Sequence, residues 1–326
     1  MITYNLLDSI KLKTIYGELP SEINEIHVDS RKVTEGSMFV CTRGYTVDGH
    51  DYAHMAVEKG ATLIIAEKQL DIDLNKAALV VVKDSFKALS QLSNKYYDYP
   101  SKKLTVFGVT GTNGKTTVSN LIHSILKNDS RSSALSGTIG FNLDGELLPS
   151  ENTTCDNLTN QQMLQRAMNR DIQNFTLEVS SHGLALGRLW GIDFDVVAFT
   201  NLSHDHLDYH GTMEHYGYAK GLLFSQLGQD LQEPKYAVLN ADDEWYERYS
   251  YMTPHEVISY GLEGHADFKA ENVEYFNDLT KFTLVSPQGS FEVEMKLLGK
   301  FNVYNVLTAM ACLYAKGMEV SRLVEI

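Results

Sequence analysis

The chain has 326 residues, of which 43% are hydrophobic and 21% are charged, with 23 glycines and 6 prolines. This composition is typical of a globular protein and excludes a collagen-like, low-complexity or largely disordered chain, and the length predicts two domains. The net charge of −14 gives no general attraction for nucleic acid or for an anionic membrane. Any polyanionic ligand must therefore be held locally, by a loop, a helix N-terminus, a metal ion or a few cations.

Cysteine usage and the N-terminus indicate the compartment. Cys41, Cys155 and Cys312 are far apart and form no CxxC pair, which is typical of a protein from a reducing cytosol. The first dozen residues contain charges and lack an apolar core of signal-peptide length. No apolar run in the sequence approaches the ~18 residues of a membrane span. We expect a soluble cytoplasmic protein, a monomer, that binds neither nucleic acid nor membrane.

The first hundred residues alternate short apolar runs with helical patterns. Strands rich in Val, Ile and Leu are predicted at 38–41, 61–67 and 78–84, with helices at 50–60 and 85–99. The segment 99–103 contains a Tyr-Pro pair and has the character of a linker. The pattern predicts a small α/β domain with its boundary near residue 100.

A second strand–helix pattern starts at Leu104. Strands are predicted at 104–110, 175–180, 194–201 and 235–240, and a helix over 116–127. This alternation indicates a mostly parallel sheet covered by helices. Residues 267–296 instead alternate apolar and polar side chains, which predicts antiparallel strands ahead of a final long helix at 302–317.

The segment Gly111–Thr117, with the sequence GTNGKTT, joins a predicted strand to a predicted helix. In a phosphate loop, glycines let backbone N–H groups turn inward, and the helix N-terminus adds positive partial charge. Lys115 would reach the outer phosphates, and the Thr116 hydroxyl could ligate Mg²⁺. The strict pattern G-x-x-x-x-G-K-[ST] is missed because Val109 stands at its first position. A glycine-rich turn with a solvated lysine therefore stays open.

Glu178 lies near the end of the apolar strand predicted at 175–180. A buried carboxylate is costly unless it is paired or bound to a metal, and ligands collect at the carboxyl ends of parallel strands. An edge-strand glutamate that faces water is the alternative.

Histidines and aspartates follow the next predicted strand and suggest a divalent metal. They are His204, Asp205, His206, Asp208 and His210. A zinc site built from His204, His206 and His210 is one alternative, and a polar loop with merely hydrogen-bonded histidines is another. Lys220 has apolar neighbours in a helical segment, so it is either partly buried with a special role or an ordinary solvated lysine.

Six stretches of the chain together resemble the Mur ligases of bacterial cell-wall synthesis, of the MurE type that adds the third residue of the peptidoglycan stem peptide. They are HVDSRKVTEGSMFVCTRG (27–44), GVTGTNGKTT (108–117), NTT (152–154), LEVSSHGLALGRL (177–189), NLSHDHLDYHGTMEHYGYAK (201–220) and GKFNVYNVLTA (299–309). The phosphate loop alone would fit many ATPases, whereas the EVSSHGL and DHLDYHGTMExY blocks are far more specific.

The resemblance implies an α/β fold in two parts: a UDP-sugar-binding domain over residues 1–99 and a central P-loop ATPase domain over residues 100–326. Members of the family have a third, C-terminal domain that completes the ATP site and selects the amino acid. This sequence reaches only the end of the second domain. We therefore expect the chain alone to bind substrates and to be inactive or nearly so.

The implied activity is an ATP-dependent amide ligase whose substrates are UDP-N-acetylmuramoyl-L-alanyl-D-glutamate and a diamino acid. In the family, ATP phosphorylates the D-Glu carboxylate to an acyl phosphate, ADP is released, and the incoming amine displaces phosphate. Another ligase of the superfamily, such as a different Mur step or a folylpolyglutamate synthase, stays an alternative. A non-catalytic nucleotide-binding fragment is a further one.

The resemblance also implies roles for residues around ATP. Thr116 and Glu178 would hold a first Mg²⁺, and His206 a second. Lys220 resembles the family lysine that reacts with CO₂ to give a carbamate, which is oriented toward the second Mg²⁺. The loop residues implied to bind ATP are Gly111, Thr112, Asn113, Gly114, Lys115, Thr116 and Thr117, with adenine near Asn302 and Lys115 neutralising the transferred phosphoryl group.

Other positions resemble the family's sugar-nucleotide contacts. Ser30 matches the serine of the UDP site, and the muramoyl portion and diphosphate would contact Thr153, Thr154, Ser180 and Arg188. The chain departs from the pattern of some relatives at Tyr45–Val47, at Leu186 and at Phe301, where the family often has His. This variant pattern resembles MurE from Gram-positive cocci, so we expect L-lysine rather than meso-diaminopimelate as the amine.

Overall fold

The computed structural model describes residues 1–44, 47–150 and 152–326, so Tyr45 and Thr46, named above as departures, lie outside the described residues. The chain divides into two compact units. The first comprises Met1–Pro100, Asp156–Gln165 and Gly187–Ile192, and the second comprises Ser101–Cys155, Arg166–Leu186 and Asp193–Ile326. The sequence predicts a single boundary near residue 100, and the assignment of UDP-sugar and ATP binding to its two sides stays a prediction.

The first unit contains a five-stranded sheet in the order β1-β5-β4-β3-β2, parallel except for the β1–β5 pair. Its elements in the first hundred residues are α1 (Thr3–Leu7), β1 (Lys13–Tyr16), β2 (Ile26–His27), β3 (Ser37–Val40), α2 (Ala53–Glu58), β4 (Ala61–Ala66), β5 (Ala78–Val82) and α3 (Ser85–Tyr96). The three predicted strands and two predicted helices all form. Strands β1 and β2 are too short for their pattern to identify them.

Both faces of this sheet are buried, because successive side chains of a strand point to opposite sides. Met38 and Val40 of β3 pack in one apolar cluster with Leu89 and Leu92 of α3. Phe39, between them, packs in a second cluster that includes residues of α2. Continuous apolar strands such as β4 are what a sheet covered on both faces requires.

The second unit is built on an eleven-stranded sheet in the order β16-β15-β14-β13-β12-β11-β6-β10-β7-β8-β9. The strands are β6 (Thr105–Thr110), β7 (Ser133–Gly137), β8 (Gly140–Leu143), β9 (Glu146–Leu148), β10 (Asn174–Glu178), β11 (Val196–Phe199), β12 (Tyr236–Asn240), β13 (Glu256–Gly261), β14 (Phe268–Tyr275), β15 (Thr280–Ser286) and β16 (Gly289–Met295). The seven strands from β14 to β7 are parallel, and antiparallel pairs flank them on each side. The α/β class and the antiparallel region after residue 267 are confirmed.

Helices complete the architecture. They are α4 (Lys115–Asn128), α5 (Asn157–Met168), α6 (Ser181–Ala185), α7 (Leu207–His210), α8 (Met213–Ser225), α9 (Tyr246–Ser250), α10 (Lys300–Ala315) and α11 (Val320–Glu325). Helix α4 buries Val118, Ile122 and Leu126, a spacing of four residues that places them on one face. The same core cluster contains residues of α10 and of strands β6 and β11 to β16, so α4 and α10 share one apolar core with the sheet.

Two further expectations can be compared with the structure. Cys41, Cys155 and Cys312 are free and buried. Among the described helices, none combines the length and apolar character needed to cross a lipid bilayer.

Candidate functional site

The segment Gly111–Thr117 forms a tight turn between β6 and α4, as its sequence predicts. Gly111 and Gly114 have φ angles of +147° and +89°, which favour glycine. A Cβ at Gly111 would lie 1.9 Å from Thr200 Oγ1, so no other residue fits there. Helix α4 begins at Lys115, and the first N–H groups of a helix have no partner within it. The turn therefore offers backbone donors and a helix dipole to an anion.

The two residues that follow β11 hold this loop in place. Thr200 Oγ1 donates to Asn113 O at 2.6 Å. The Asn201 side chain accepts from Asn113 N at 3.1 Å and donates to Asn113 O at 3.1 Å, while Asn201 O accepts from Thr112 N at 2.7 Å. Sequence reasoning gave neither residue a role. Their position directly after a strand next to β6 in the sheet is the signal that could have found them.

Lys115 folds back over the loop. Its Nζ donates to Gly111 O at 2.9 Å and to Thr112 O at 2.8 Å. Burial lowers the pKa of Lys115, and the charges of Glu178 and Asp205 oppose that shift. The half-buried ammonium is therefore bonded to two carbonyl oxygens of the loop, which disfavours the solvated lysine kept open above.

Glu178 is the last residue of β10, an interior strand between β6 and β7, and is 2% exposed. This excludes the water-facing edge glutamate. Its Oε2 accepts from Thr116 Oγ1 at 2.9 Å and from Thr138 Oγ1 at 3.0 Å, and its Oε1 accepts from Thr138 N at 3.1 Å. The structure thus brings together Thr116 and Glu178, the pair predicted to hold Mg²⁺. Thr138 was missed because it lies in a turn of a hairpin that the sequence did not predict.

Lys220, on α8, is 1% exposed. Its Nζ donates to Gly111 O at 2.8 Å and lies 4.6 Å from the centre of the Tyr216 ring. Burial, with the nearby charge of Lys115 adding to it, holds the pKa of Lys220 well below its usual range, and Asp205 only partly opposes this. Lys220 is a buried amine beside the phosphate loop, so the solvated alternative is excluded for it.

The histidine-rich segment forms an aromatic cluster near Lys220. The exposed His206 has a φ of +52°, in the left-handed region that histidine adopts more often than most residues, and its ring is 5.1 Å from that of His182 and 5.9 Å from that of Tyr216. His210 shares a hydrogen bond of 2.9 Å between its Nε2 and Ser181 Oγ. Burial, followed by the charges of His182 and Lys220, lowers the pKa of His210 to about 4.

The zinc alternative is not supported by this arrangement. Within the described residues, no group of three or more His, Cys, Asp or Glu side chains is placed to hold a metal ion. His204, His206 and His210 therefore do not converge as a three-histidine ligand set.

Asn302, predicted to lie near adenine, is in the first turn of α10. Its Oδ1 accepts from Asn305 Nδ2 at 3.1 Å, and a Cβ built at Gly114 would be 2.5 Å from Asn305 Oδ1. Asn302 is thereby linked through one side chain to the phosphate loop. Phe301, beside it, is 82% exposed.

The threonines of the segment 152–154 lie beside the end of β10. Thr154 Oγ1 donates to Glu178 O at 2.8 Å and accepts from Ser180 N at 2.9 Å, and Ser180 Oγ caps α6 by accepting from Gly183 N at 3.0 Å. Thr153 Oγ1 is 3.1 Å from Thr138 Oγ1. The hydroxyls of Thr154 and Ser180 thus hold the local backbone, and Thr153 connects to the Glu178 network through Thr138.

The remaining predicted substrate residues lie in the first unit. Ser30 borders a cavity of about 550 Å³, also lined by Asp29, Phe39, Thr42 and Tyr52. Arg188 is half-buried, and its carbonyl accepts from Asn160 Nδ2 at 3.1 Å. The cavity gives a concave surface around Ser30, which is the shape that small-molecule sites take, and Arg188 is not among its lining residues.

Comparison with known proteins identifies the family. Residues 109–313 match the model of the Mur ligase middle domain, and residues 22–97 match that of the Mur ligase family, catalytic domain. The chain belongs to the Mur ligase family. The resemblance drawn from the sequence motifs is thereby confirmed.

Among curated members of the Mur ligase family, the UDP-N-acetylmuramyl-tripeptide synthetase 2 of Oceanobacillus iheyensis is 50% identical over 317 residues, which are 97% of this chain and 64% of that protein. The UDP-N-acetylmuramoyl-L-alanyl-D-glutamate–L-lysine ligase of Staphylococcus aureus strain MW2 is 42% identical over 98% of this chain and 65% of its own length. The chain thus spans just under two thirds of these relatives.

A solved structure of a UDP-N-acetylmuramoyl-L-alanyl-D-glutamate–2,6-diaminopimelate ligase superposes with a TM-score of 0.81 at 33% identity. The match covers 94% of this chain and 62% of that one. The Mur ligase family fold therefore extends over nearly the whole sequence.

Proposed function

We propose that this chain binds ATP and the acceptor substrate in a ligase that joins a diamino acid to the D-Glu of UDP-N-acetylmuramoyl-L-alanyl-D-glutamate. The proposal rests on one observation: Lys115, Thr116 and Glu178 lie together at the start of α4. The buried amine of Lys220 donates to the carbonyl oxygen of Gly111, which also accepts from Lys115. The names of the relatives from Oceanobacillus and Staphylococcus support the choice of acceptor.

ATP phosphates would lie on the segment Gly111–Thr117. Its glycines and the N-terminus of α4 supply N–H donors, and Lys115 supplies a cation that is already desolvated and oriented. In a protein with a net charge of −14, such local donors are required for a triphosphate. Asn302, linked to this loop through Asn305, would contact the adenine.

The residues around Glu178 fit Mg²⁺. Magnesium prefers oxygen ligands, and Thr116 Oγ1 and the Glu178 carboxylate are 2.9 Å apart at the loop. Glu178 is almost fully buried, and its described partners are only hydroxyl and N–H donors, so a cation would offset the cost of burying its charge. Bound Mg²⁺ would neutralise charge on the phosphates during transfer. His206 would contribute to a second magnesium site.

Lys220 would carry a carbamate formed from CO₂. Its lowered pKa favours the neutral amine, which is the nucleophilic form. The amine nitrogen bonds to the carbon of CO₂ and releases one proton to solvent, so the neutral amine beside Lys115 becomes an anion. The carbamate would then act as a carboxylate-like ligand on the side of the loop where His206 lies.

The substrate residues predicted from the sequence would contact the acceptor. The cavity at Ser30 would take the uridine part, while Thr153, Ser180 and Arg188 would contact the diphosphate and muramoyl part, with Thr154 holding the backbone beside them. An arginine suits phosphate and carboxylate oxygens.

In the proposed reaction, a D-Glu carboxylate oxygen attacks the γ-phosphorus of ATP, and ADP leaves. The amine nitrogen then attacks the acyl carbon, phosphate leaves, and the nitrogen loses its proton. Lys115 stabilises the charge on the transferred phosphoryl group.

We propose L-lysine as the amine, in line with the name of the Staphylococcus relative. We also propose that the protein is a monomer and acts in the cytoplasm.

Calorimetric titration of the chain with UDP-N-acetylmuramoyl-L-alanyl-D-glutamate tests the proposal. The same nucleotide without D-Glu is the control ligand, and a parallel titration uses ADP with Mg²⁺. We expect preferential binding of the form with D-Glu, together with magnesium-dependent binding of ADP. Equal affinity for the two UDP ligands would contradict the assigned step, and loss of ADP binding would contradict the site itself.

A further inference from the structure

Thr138 lies between the proposed magnesium ligand and the proposed acceptor contact. It follows β7 directly, and its hydroxyl is 3.0 Å from Glu178 Oε2 and 3.1 Å from Thr153 Oγ1. Its N–H donates to Glu178 Oε1 at 3.1 Å. The Thr138 hydroxyl is therefore hydrogen-bonded both to Glu178 and to Thr153.

The hydrogen bonds have a fixed direction because each threonine hydroxyl has one proton. An ionised carboxylate accepts and cannot donate, so the Thr138 hydroxyl donates to Glu178. In the contact between the two threonines, Thr138 must then accept and Thr153 must donate. Thr153 therefore donates a hydrogen bond to Thr138, and Thr138 donates one to Glu178.

The backbone of the β7–β8 turn fixes this arrangement. A Cβ at Gly137 would lie 2.0 Å from Glu178 Oε1, so the carboxylate packs directly against the backbone at that position. The N–H and O–H of Thr138 reach the two different carboxylate oxygens and so orient the carboxylate plane. The oxygen that receives the Thr138 hydroxyl is also the one that faces Thr116.

We propose that Thr138 is a positioning residue that couples acceptor binding at Thr153 to cation binding at Glu178. Donation from Thr153 polarises the Thr138 hydroxyl and strengthens its bond to the carboxylate. A phosphate or carboxylate group of the acceptor can only accept hydrogen bonds. When it binds at Thr153, the Thr153 hydroxyl donates to it instead of to Thr138, and the Thr138–Glu178 hydrogen bond weakens. More of the carboxylate charge is then free for a cation. Acceptor binding therefore strengthens magnesium binding, and the coupling is reciprocal.

This inference rests on the proposed function, from which it takes both ligands. The experiment titrates ADP with Mg²⁺ into the 326-residue chain, with and without saturating UDP-N-acetylmuramoyl-L-alanyl-D-glutamate. We expect the acceptor to raise the affinity about 1.3-fold to fourfold in the wild type, because cooperativity changes the strength of one hydrogen bond to a charged group by roughly 10–30%. Thr138→Val should reduce this ratio to about one, and Thr138→Ser, which keeps the hydroxyl, should restore it. In EDTA we expect no such ratio in any variant, because the coupling acts on the cation.

The outcomes separate the inference from the proposed function. A wild type that binds neither ligand overturns both. A wild type that binds both ligands with no coupling, or a Thr138→Val variant with the wild-type ratio, overturns the inference alone. Thermal unfolding checks the fold of each variant. If Thr138→Val does not fold, Thr153→Val removes the donor at the other end of the chain of hydrogen bonds, and it should lose the ratio as well.

Discussion

Lys115 and Lys220 donate to the same acceptor, the carbonyl oxygen of Gly111, at 2.9 Å and 2.8 Å. Two ammonium groups on one oxygen repel each other, and burial adds to the cost of both charges. Burial and the charge of Lys115 act in the same direction on Lys220, whose pKa is held well below its usual range. The lowered pKa favours the neutral amine of Lys220, and only a neutral amine adds to CO₂.

We predict a carbamate on Lys220 when the chain is equilibrated with ¹³C-bicarbonate. Carbamate formation places an anion beside the ammonium of Lys115, and this attraction should favour the modification in the folded chain. A ¹³C NMR resonance in the carbamate region is the measurement. It should be present in the wild type and disappear in Lys220→Met.

Lys127→Met is the matched control for that experiment, since Lys127 is a half-exposed lysine at the far end of α4. This variant should keep the resonance. A signal that survives in Lys220→Met would place the modification on another amine and contradict the role proposed for Lys220.

Replacing Lys115 should weaken nucleotide binding. Lys115→Met keeps a similar length of side chain and removes the cation that would neutralise the phosphates. A charge-assisted hydrogen bond contributes about 1.5–3 kcal/mol, so we expect a loss of roughly tenfold to a hundredfold in affinity for ADP with Mg²⁺. Calorimetry measures it, with Lys127→Met again as the control that should bind normally. Normal ADP affinity in Lys115→Met would show that phosphates bind elsewhere.

The sequence predicted the fold best where apolar runs are long. Strands β4, β5, β6 and β10 and helices α4 and α10 form where Val, Ile and Leu recur at the spacing of a strand or helix. The β8–β9 hairpin was missed because its strands are short, and their pairing depends on contacts with β7 that no local pattern encodes. The grouping of Gly187–Ile192 with the first unit likewise depends on tertiary contacts.

The residues of the site also fall into those that the sequence predicted and those that it missed. Lys115 and Thr116 were predicted from their place between a strand and a helix, and Glu178 from the cost of a carboxylate in an apolar strand. Thr200 and Thr138 were not found, because an isolated threonine has no sequence signature. Their roles follow from strands that are distant in sequence but adjacent in the sheet.

Gly137→Ala should disturb the proposed magnesium site through Glu178. The new Cβ would lie 2.0 Å from Glu178 Oε1, so the carboxylate must move away from Thr138 and Thr116. We expect a loss of about 1–3 kcal/mol in the free energy of unfolding and a weaker dependence of ADP affinity on Mg²⁺. Urea unfolding and calorimetry measure the two effects.

Gly264→Ala is the matched control, because the nearest atom to its added Cβ is 3.9 Å away, an ordinary contact. It should change neither quantity appreciably. Equal effects of the two variants would mean that Gly137 acts through chain flexibility and not through Glu178.

The stability of the chain should depend on pH through His210. Burial lowers the pKa of this histidine to about 4 in the folded chain, against a usual value of 6.5. Between these two values the unfolded chain binds a proton that the folded chain does not, so the free energy of unfolding falls as pH decreases from 6.5 to 4. His210→Gln removes the titrating group and can still hydrogen-bond Ser181. We therefore expect a shallower fall in stability for this variant, measured by urea unfolding at several pH values.

His265→Gln is the control, because His265 is exposed, and it should follow the wild-type profile of stability against pH. Identical profiles for the wild type and His210→Gln would mean that other groups cause the acid sensitivity.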